Sequence, residues 1–370
     1  MQIIRAYKTE LDPTNKQHSY FRQCAGAARY VFNWALGDRK ERYEVHKLST
    51  NKFEQKRRFN AWKIDNAPWL YTIPYVVQEQ EFTNVDLAFK NFFRRVKQGE
   101  TPGYPKFKRR SGRKRFTLRG SIIIENDKVR LPRIGWVRLK ERGYLPAQDV
   151  KLLSVNVSEK AGRWYASAQV REDIPDPTND NTPIIGADLG IKTLVVLSNG
   201  ETFDNPKPLY QEQRKLARLQ RELARRTKGG QNWHKTKAKI QKCHARIANI
   251  RKYTLHDISH YVTATLRPKT IVLEDLNVAG MVKNHCLAKA ISDVGFGELR
   301  RQIEYKAKQC GIEVVIANTF FPSSKTCSGC GCIKDTLDLS ERTYVCEHCG
   351  LEIDRDLNAA LNLAALGVEP

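Results

Sequence analysis

Hydrophobic residues recur every three or four positions in two segments near the start of the chain. In 15–47 they are Phe21, Cys24, Ala28, Val31, Trp34 and Ala35, and in 75–97 they are Phe82, Val85, Phe89 and Phe92. This spacing places the apolar side chains on one face of a helix. Both segments are therefore predicted to be amphipathic helices whose apolar faces pack in a core.

The pattern changes to alternation between 116 and 172. The predicted strands are 121–124, 129–131, 136–139, 153–157 and 164–170. Segment 2–8 alternates weakly and is expected to join them, giving a small antiparallel barrel or sandwich. The proline-containing, polar stretch 173–183 predicts a linker, with a domain boundary near 180.

After the linker, strands and helices alternate. Two buried strands joined near Gly190 are predicted in 184–196, and a long helical hairpin, broken at Gly229 and Gly230, in 207–262. The later elements are a strand at 270–273, a helix at 297–309 and a strand at 312–317. This order predicts an α/β sheet.

The net charge of the chain indicates what kind of partner the protein binds. Its 370 residues carry 64 Lys and Arg against 40 Asp and Glu, a formal net charge of +24. The segment 94–119 holds eleven cations and one acid, with Tyr104, Phe107 and Phe116 among them. Cations interleaved with aromatic rings suit phosphates and stacked bases, so nucleic acid is the expected ligand.

Two further surfaces are candidates for the same partner. The polar face of the 75–97 helix carries Gln78, Gln80 and Asn84. Both arms of the 207–262 hairpin are strongly basic, which fits either a solvated face or a second wall facing nucleic acid. No apolar run reaches the length of a membrane span, so we expect no membrane contact and a cytoplasmic, nucleoid-associated location in a prokaryote.

Four of the nine cysteines have metal-ligand spacing. Cys327-x-x-Cys330 is separated by fifteen residues from Cys346-x-x-Cys349, and a glycine follows each pair. This spacing predicts one zinc ion held by four thiolates, with Cys332 and His348 as possible substitutes. Four protein ligands leave no position for water, so the site is expected to be structural.

Three acidic strings lie at the edges of predicted buried elements. Asp188 lies in the 184–196 strand pair, and Glu274 follows the 270–273 strand. Each acid alone reads as a strand-end or capping residue, but together they can supply the oxygen ligands that two Mg²⁺ ions need. In the third string, Asp354 is predicted to cap a helix and Asp356 to be the ligand, with Asp354 as an additional ligand left open.

These strings also resemble a known family. The motifs G-A-D-L-G at 186–190, L-E-D-L at 273–276, S-K-T-C-S at 324–328 and D-R-D-L-N-A-A at 354–360 resemble TnpB. This is the OrfB family encoded by insertion sequences, and it is similar to type V CRISPR effectors. The resemblance implies an RNA-guided DNA endonuclease with an RNase H-like (RuvC) fold. Its partners would be a guide RNA and target double-stranded DNA, and Asp188, Glu274 and Asp356 would be catalytic.

The resemblance also implies a domain layout. Residues 1–10 and 96–180 would form a wedge β-barrel, with 96–180 including the basic loop, and 11–95 a helical recognition domain. Residues 181–370 would form the nuclease domain, into which the basic hairpin 207–262 and a zinc ribbon at 322–351 are inserted. The protein would be a monomer or a weak dimer.

Three other hypotheses stay open at this stage. A guide-RNA-dependent DNA-binding regulator would lack cleavage, although no acid of the expected set is missing. A transposase would join DNA strands itself and would need no RNA. A zinc-ribbon RNA-binding protein without chemistry would leave the three acidic strings unexplained.

Overall fold

The N-terminal strand lies at the centre of a seven-stranded antiparallel sheet in the computed structural model, which describes residues 1–146, 150–179, 181–338 and 340–367. The sheet order is β2-β6-β7-β1-β5-β4-β3. Its strands are β1 (Gln2–Asp12), β2 (Arg115–Leu118), β3 (Ile123–Ile124), β4 (Lys128–Leu131), β5 (Gly135–Leu139), β6 (Lys151–Lys160) and β7 (Arg163–Asp173). The predicted antiparallel strands are confirmed, and closure of the sheet into a barrel stays a prediction.

Three helices pack with this sheet: α1 (Asn15–His46), α2 (Lys52–Asn66) and α3 (Tyr75–Lys97). The two predicted helices are confirmed, and α1 begins at a capping box between Thr14 and Gln17. The hydrophobic pattern did not predict α2, because few of its positions are apolar. Trp164 of β7 is fully buried and meets Phe21 of α1 at 5.1 Å between ring centroids, so helices and sheet share one core.

One residue of the predicted polar face of α3 is not on the surface. Gln78 is 2% exposed, and its Nε2 donates to the carbonyl oxygen of Leu70 at 2.8 Å. The prediction that Gln78 contacts nucleic acid is therefore wrong, because this amide satisfies buried backbone. Gln80 donates to Asn84 Oδ1 at 3.1 Å along the helix.

The chain divides into two compact units, Met1–Pro175 and Asp176–Pro370, close to the boundary expected near 180. The second unit has a mixed five-stranded sheet in the order β10-β9-β8-β11-β12. Its strands are β8 (Ile184–Leu189), β9 (Thr193–Leu197), β10 (Thr202–Asp204), β11 (Thr270–Leu273) and β12 (Glu313–Ile316). Strands β8, β11 and β12 run parallel, whereas β9 and β10 are antiparallel to their neighbours, which confirms the predicted α/β sheet.

The second unit also contains six α-helices among its described residues. They are α4 (Pro208–Ala224), α5 (Gln231–His260), α6 (Val278–Met281), α7 (Ala288–Val294), α8 (Phe296–Cys310) and α9 (Arg355–Leu366). The predicted hairpin is α4 and α5, which meet through Leu216, Cys243 and Ile247. A small hairpin of β13 (Thr343–Val345) and β14 (Glu352–Asp354) precedes α9. Across the described residues, no helix combines the length and apolar character needed to cross a membrane.

Helix α9 lies directly against β8 at Gly186. A Cβ atom on Gly186 would lie 2.0 Å from the carbonyl oxygen of Ala360 and 2.5 Å from the amide nitrogen of Ala364. Only hydrogen at this position allows the helix backbone to approach the strand so closely. Leu363 on the same helix packs with Val272 of β11, so α9 is seated over both parallel strands.

Gly186→Ala is expected to destabilise the protein by about 1–3 kcal/mol or more, because the added methyl group pushes α9 away from β8. Urea unfolding of the full chain measures this loss. Gly297→Ala is the matched control, because a Cβ on Gly297 of α8 meets nothing within 4 Å. That control should be neutral or gain up to about 1 kcal/mol in helix propensity. Equal stability of the two variants would contradict the close approach.

Candidate active site

The three predicted acidic residues line a single cavity of about 650 Å³ in the second unit. Ala187 of β8 and Leu273 of β11 are register partners in the parallel pair. Asp188 and Glu274 are the next residue along each strand, so they leave neighbouring strands at the same sheet edge. Asp356 reaches the cavity from the first turn of α9.

Asp354 and Asp356 have different positions at the start of α9. One carboxylate oxygen of Asp354 accepts from the backbone N–H groups of Asp356 at 2.9 Å and Leu357 at 3.1 Å. Asp354 is therefore the N-cap, as predicted, and it does not line the cavity. Asp356 lines the cavity together with Ala359.

Negative charge is concentrated in this cavity. Burial raises the pKa of Asp188 well above its ordinary value, and the nearby carboxylates of Glu274 and Asp356 raise it further. Burial also raises the pKa of Glu274, although the hydroxyl of Ser323 opposes that shift by donating a hydrogen bond. Clustered buried carboxylates resist ionisation unless a cation compensates them. Their oxygen donor set suits a hard divalent cation such as Mg²⁺.

Basic side chains also line the cavity, together with uncharged residues. Arg355 donates to Asp356 Oδ1 at 3.2 Å through Nη2, and Arg342 Nη1 lies 3.9 Å from Asp356 Oδ2. Lys192, Lys207 and Lys325 also line the cavity. A wall that combines carboxylates with cations can hold divalent metal and attract a phosphodiester at the same place.

The acid next to Glu274 has a different role. Asp275 accepts from the hydroxyl of Thr319 at 2.8 Å and from Arg300 Nη1 at 2.7 Å. Those hydrogen bonds, from Thr319 first and then Arg300, lower the pKa of Asp275. Asp275 does not line the cavity, whereas the adjacent Glu274 does. Asp275 instead ties the 274–276 segment to α8 through Arg300.

The four predicted cysteines come together before α9. Sγ of Cys327 lies 3.6 Å from Sγ of Cys349, and Sγ of Cys330 lies 3.6 Å from Sγ of Cys346. A tetrahedral zinc with Zn–S bonds of about 2.3 Å would place sulfurs about 3.8 Å apart, so the spacing fits that ion. Cys330 also groups with Cys332 and His348, the two residues named as possible substitutes.

Backbone turns shape this cysteine cluster. Gly331 and Gly350, which follow the two pairs, have φ of 76° and 74°, a conformation that glycine adopts readily. The N–H of Gly331 donates to Cys327 O at 2.9 Å, and that of Gly350 donates to Cys346 O at 3.0 Å. Each pair therefore closes a tight turn that directs its two thiols to a common centre.

The first unit contains a strongly cationic cavity of about 390 Å³. Its charged lining residues are Arg22, Arg29, Arg109, Arg110, Arg113 and Lys114. The last four belong to the predicted basic run. Arg22 and Arg29 lie on α1, and the sequence did not single them out because cations on that helix are dispersed. A second cavity, which shares Gly26 and Arg29 with the first, is lined by Tyr30 and Trp69.

The aromatic residues of the basic run do not all act as expected. Phe116 is 1% exposed and belongs to the core, where it contacts Phe21. Tyr104 packs edge-on against Phe89 at 5.7 Å between ring centroids. Phe107 is 54% exposed and stays available for stacking. The prediction of three stacking rings was therefore wrong for Phe116, which anchors the basic run to the sheet instead.

Three family models match the chain. One described as "Probable transposase" of the OrfB/IS605 type covers residues 166–285. One described as "Cas12f1-like, TNB domain" covers 296–363, and a "Helix-turn-helix domain" model covers 1–47. In this structure residues 1–47 comprise β1 and the single helix α1, so that last description does not match the local fold.

Full-length relatives agree with these matches. A Streptomyces pristinaespiralis protein named "Putative RNA-guided DNA endonuclease" is 34% identical, over 99% of this chain and 90% of its own length. Escherichia coli K12 "Putative RNA-guided DNA endonuclease InsQ" is 31% identical, over 99% of this chain and 93% of its own. A shorter match is Acanthamoeba polyphaga mimivirus "TnpB-like protein L79", 32% identical over 35% of this chain and 25% of its own length. The chain belongs to the TnpB family of insertion-sequence proteins.

A solved structure shares the overall fold. The structure titled as the mini-RNA-guided endonuclease CRISPR-Cas phi3 aligns with a TM-score of 0.50 at 10% identity, covering 100% of this chain and 93% of that one. At that identity the likeness concerns fold alone. Membership of the family therefore rests on the sequence relatives, and the solved structure shows a shared fold.

Asp188→Asn is expected to stabilise the protein at neutral pH when no divalent metal is added. Because the folded pKa of Asp188 is raised above 3.8, the folded state retains its proton to higher pH than the unfolded chain does. The ionised carboxylate of Asp188 lowers the free energy of unfolding. This loss is absent below the pKa that Asp188 has in the unfolded chain and complete above the pKa that it has in the folded protein. Between these two pKa values, the melting temperature of the wild type should fall with rising pH more steeply than that of Asp188→Asn. Each kcal/mol of lost stability should lower it by about 2–4 °C. Identical pH dependence of both proteins would contradict the assigned electrostatics.

Proposed function

We propose that this protein is an RNA-guided, Mg²⁺-dependent DNA endonuclease of a transposable element. The observation that carries the proposal is the convergence of Asp188, Glu274 and Asp356 on one cavity that is also lined by lysine and arginine side chains. The names of the full-length relatives support guided DNA cutting as the activity. The mixed α/β sheet of the second unit is compatible with an RNase H-like (RuvC) nuclease domain.

The three carboxylates would hold two Mg²⁺ ions, with Asp188 and Glu274 from the sheet edge and Asp356 from α9. Such ions activate the attacking water and stabilise the leaving oxygen of a phosphodiester. Lys192, Lys325 and Arg342 line the same cavity and would attract and orient the DNA backbone. The close packing of α9 at Gly186 would keep the ligands from different elements in register.

Guide RNA and target DNA would be held largely through their backbones. The cationic cavity lined by Arg22, Arg109 and Arg113 supports such contact in the first unit. In guided nucleases, base pairing reads the target sequence and the protein reads a short adjacent motif. We propose that the seven-stranded sheet is the wedge domain, that α1 to α3 are the recognition part, and that 322–351 is a zinc ribbon within the nuclease domain.

Purified protein is expected to contain one zinc per chain, held by the four cysteines of the cluster. Cys330→Ala should lose that zinc, because three thiolates no longer complete the tetrahedral set. Metal analysis of the two proteins measures the loss, with Cys286→Ala as the control, since Cys286 is an exposed cysteine outside the cluster. Wild-type protein without zinc would contradict the proposed ribbon.

The activity is tested with the protein purified together with RNA from its own locus. After that RNA is sequenced, DNA that matches its guide segment is incubated with the complex and Mg²⁺. Glu274→Gln should reduce cutting by more than the roughly 10- to 100-fold that loss of a ligand's hydrogen-bond partner costs, because it removes a ligand itself. Asp275→Asn, the adjacent acid bonded to Thr319 and Arg300, should keep most of the activity.

The outcome separates the competing functions. RNA binding without any cutting by the wild type would favour a DNA-binding regulator, and joined DNA strands formed without RNA would favour a transposase. Equal loss in Glu274→Gln and Asp275→Asn would contradict the assignment of Glu274 as the ligand.

A further inference from the structure

A buried serine contacts one of the three acidic residues. Ser323 is 4% exposed, and its hydroxyl donates to Oε1 of Glu274 at 2.7 Å. Ser323 does not line the cavity, so the contact approaches Glu274 from the protein side. The hydrogen bond from Ser323 holds Oε1 of Glu274 in place, and it thereby restricts the orientation of the whole carboxylate, including Oε2.

The loop that carries Ser323 is fastened to α9 by two asparagine side chains. Nδ2 of Asn362 donates to the carbonyl oxygens of Ser323 at 2.8 Å and Thr326 at 2.6 Å. Nδ2 of Asn358 donates to Thr326 O at 2.7 Å, and its Oδ1 accepts from the N–H of Ser328 at 2.9 Å. These bonds hold the backbone of 323–328 against α9 at Ser323, Thr326 and Ser328.

Both asparagines are deeply buried, Asn358 at 0% and Asn362 at 7% exposure. A buried amide costs free energy unless its donors and acceptors are satisfied, so the helix tolerates them only with the loop in place. Helix α9 also carries Asp356, and the loop leads directly into Cys327 of the cysteine cluster. The loop thus joins the cluster to two of the three carboxylates.

We propose that Ser323 is a positioning residue that orients Glu274 for divalent metal, and that Asn358 and Asn362 hold it there from α9. The proposal rests on the metal site of the proposed function and adds residues that do not themselves touch the metal. Hydrogen-bond partners of metal ligands commonly contribute 10- to 100-fold in affinity because they fix ligand orientation. The segment 322–328 connects the two sites, because it contains both Ser323, which contacts Glu274, and Cys327 of the cysteine cluster.

The test is direct binding of Mn²⁺, a spectroscopically visible substitute for Mg²⁺, to zinc-loaded full-length protein. Electron paramagnetic resonance of free Mn²⁺ gives the affinity without any cleavage assay. Ser323→Ala should weaken binding by about 10-fold or more with zinc content and melting temperature close to wild type. Ser323→Thr, which keeps the hydroxyl, should restore much of the affinity. Ser292→Ala, an exposed serine on α7, is the matched control and should bind as wild type does.

The two levels of the hypothesis fail differently. If wild-type protein binds Mn²⁺ no better than Asp188→Asn does, the metal site itself is refuted. If wild type binds and Ser323→Ala binds equally well, the positioning role is refuted and the site stands. Loss of folding or of zinc in Ser323→Ala would also overturn the proposal, because it would make Ser323 a structural residue.

Discussion

The contact of α9 with β8 at Gly186 is the constraint on which the candidate site depends. The helix backbone lies where a Cβ on that glycine would be, 2.0 Å from Ala360 O. This approach brings Asp356 to the sheet edge where Asp188 and Glu274 emerge. Carboxylates from three elements far apart in sequence therefore share one cavity, at the cost of the burial and the mutual repulsion that raise the pKa of Asp188.

The cysteine cluster and the cavity are structurally connected in the second unit. The cluster lies just before α9 in the chain, and Asn358 and Asn362 of α9 hold the loop 323–328 that leads into the cluster. Packing and buried hydrogen bonds offset the unfavourable grouping of negative charge. Without metal, the three carboxylates repel one another. Because packing and hydrogen bonds already hold them in place, they would need little reorganisation to bind a cation.

Much of this was predictable from sequence where the signal is local. Apolar spacing located α1, α3 and α8, cysteine spacing predicted the cluster, and helix-start chemistry assigned Asp354 as the cap. Ser323, Asn358 and Asn362 carried no local signal, because their roles depend on partners far along the chain. Burial likewise reversed the expectation for Gln78 and Phe116: composition marks a residue as polar or aromatic but does not say which way it faces.

The central claim is that Asp188, Glu274 and Asp356 form one divalent-metal site. Anomalous diffraction from crystals soaked in Mn²⁺ tests it most directly, since the signal locates the ion without reference to activity. The account predicts manganese peaks in the cavity within bonding distance of all three carboxylates. Manganese bound elsewhere, with this cavity empty at saturating concentration, would contradict it.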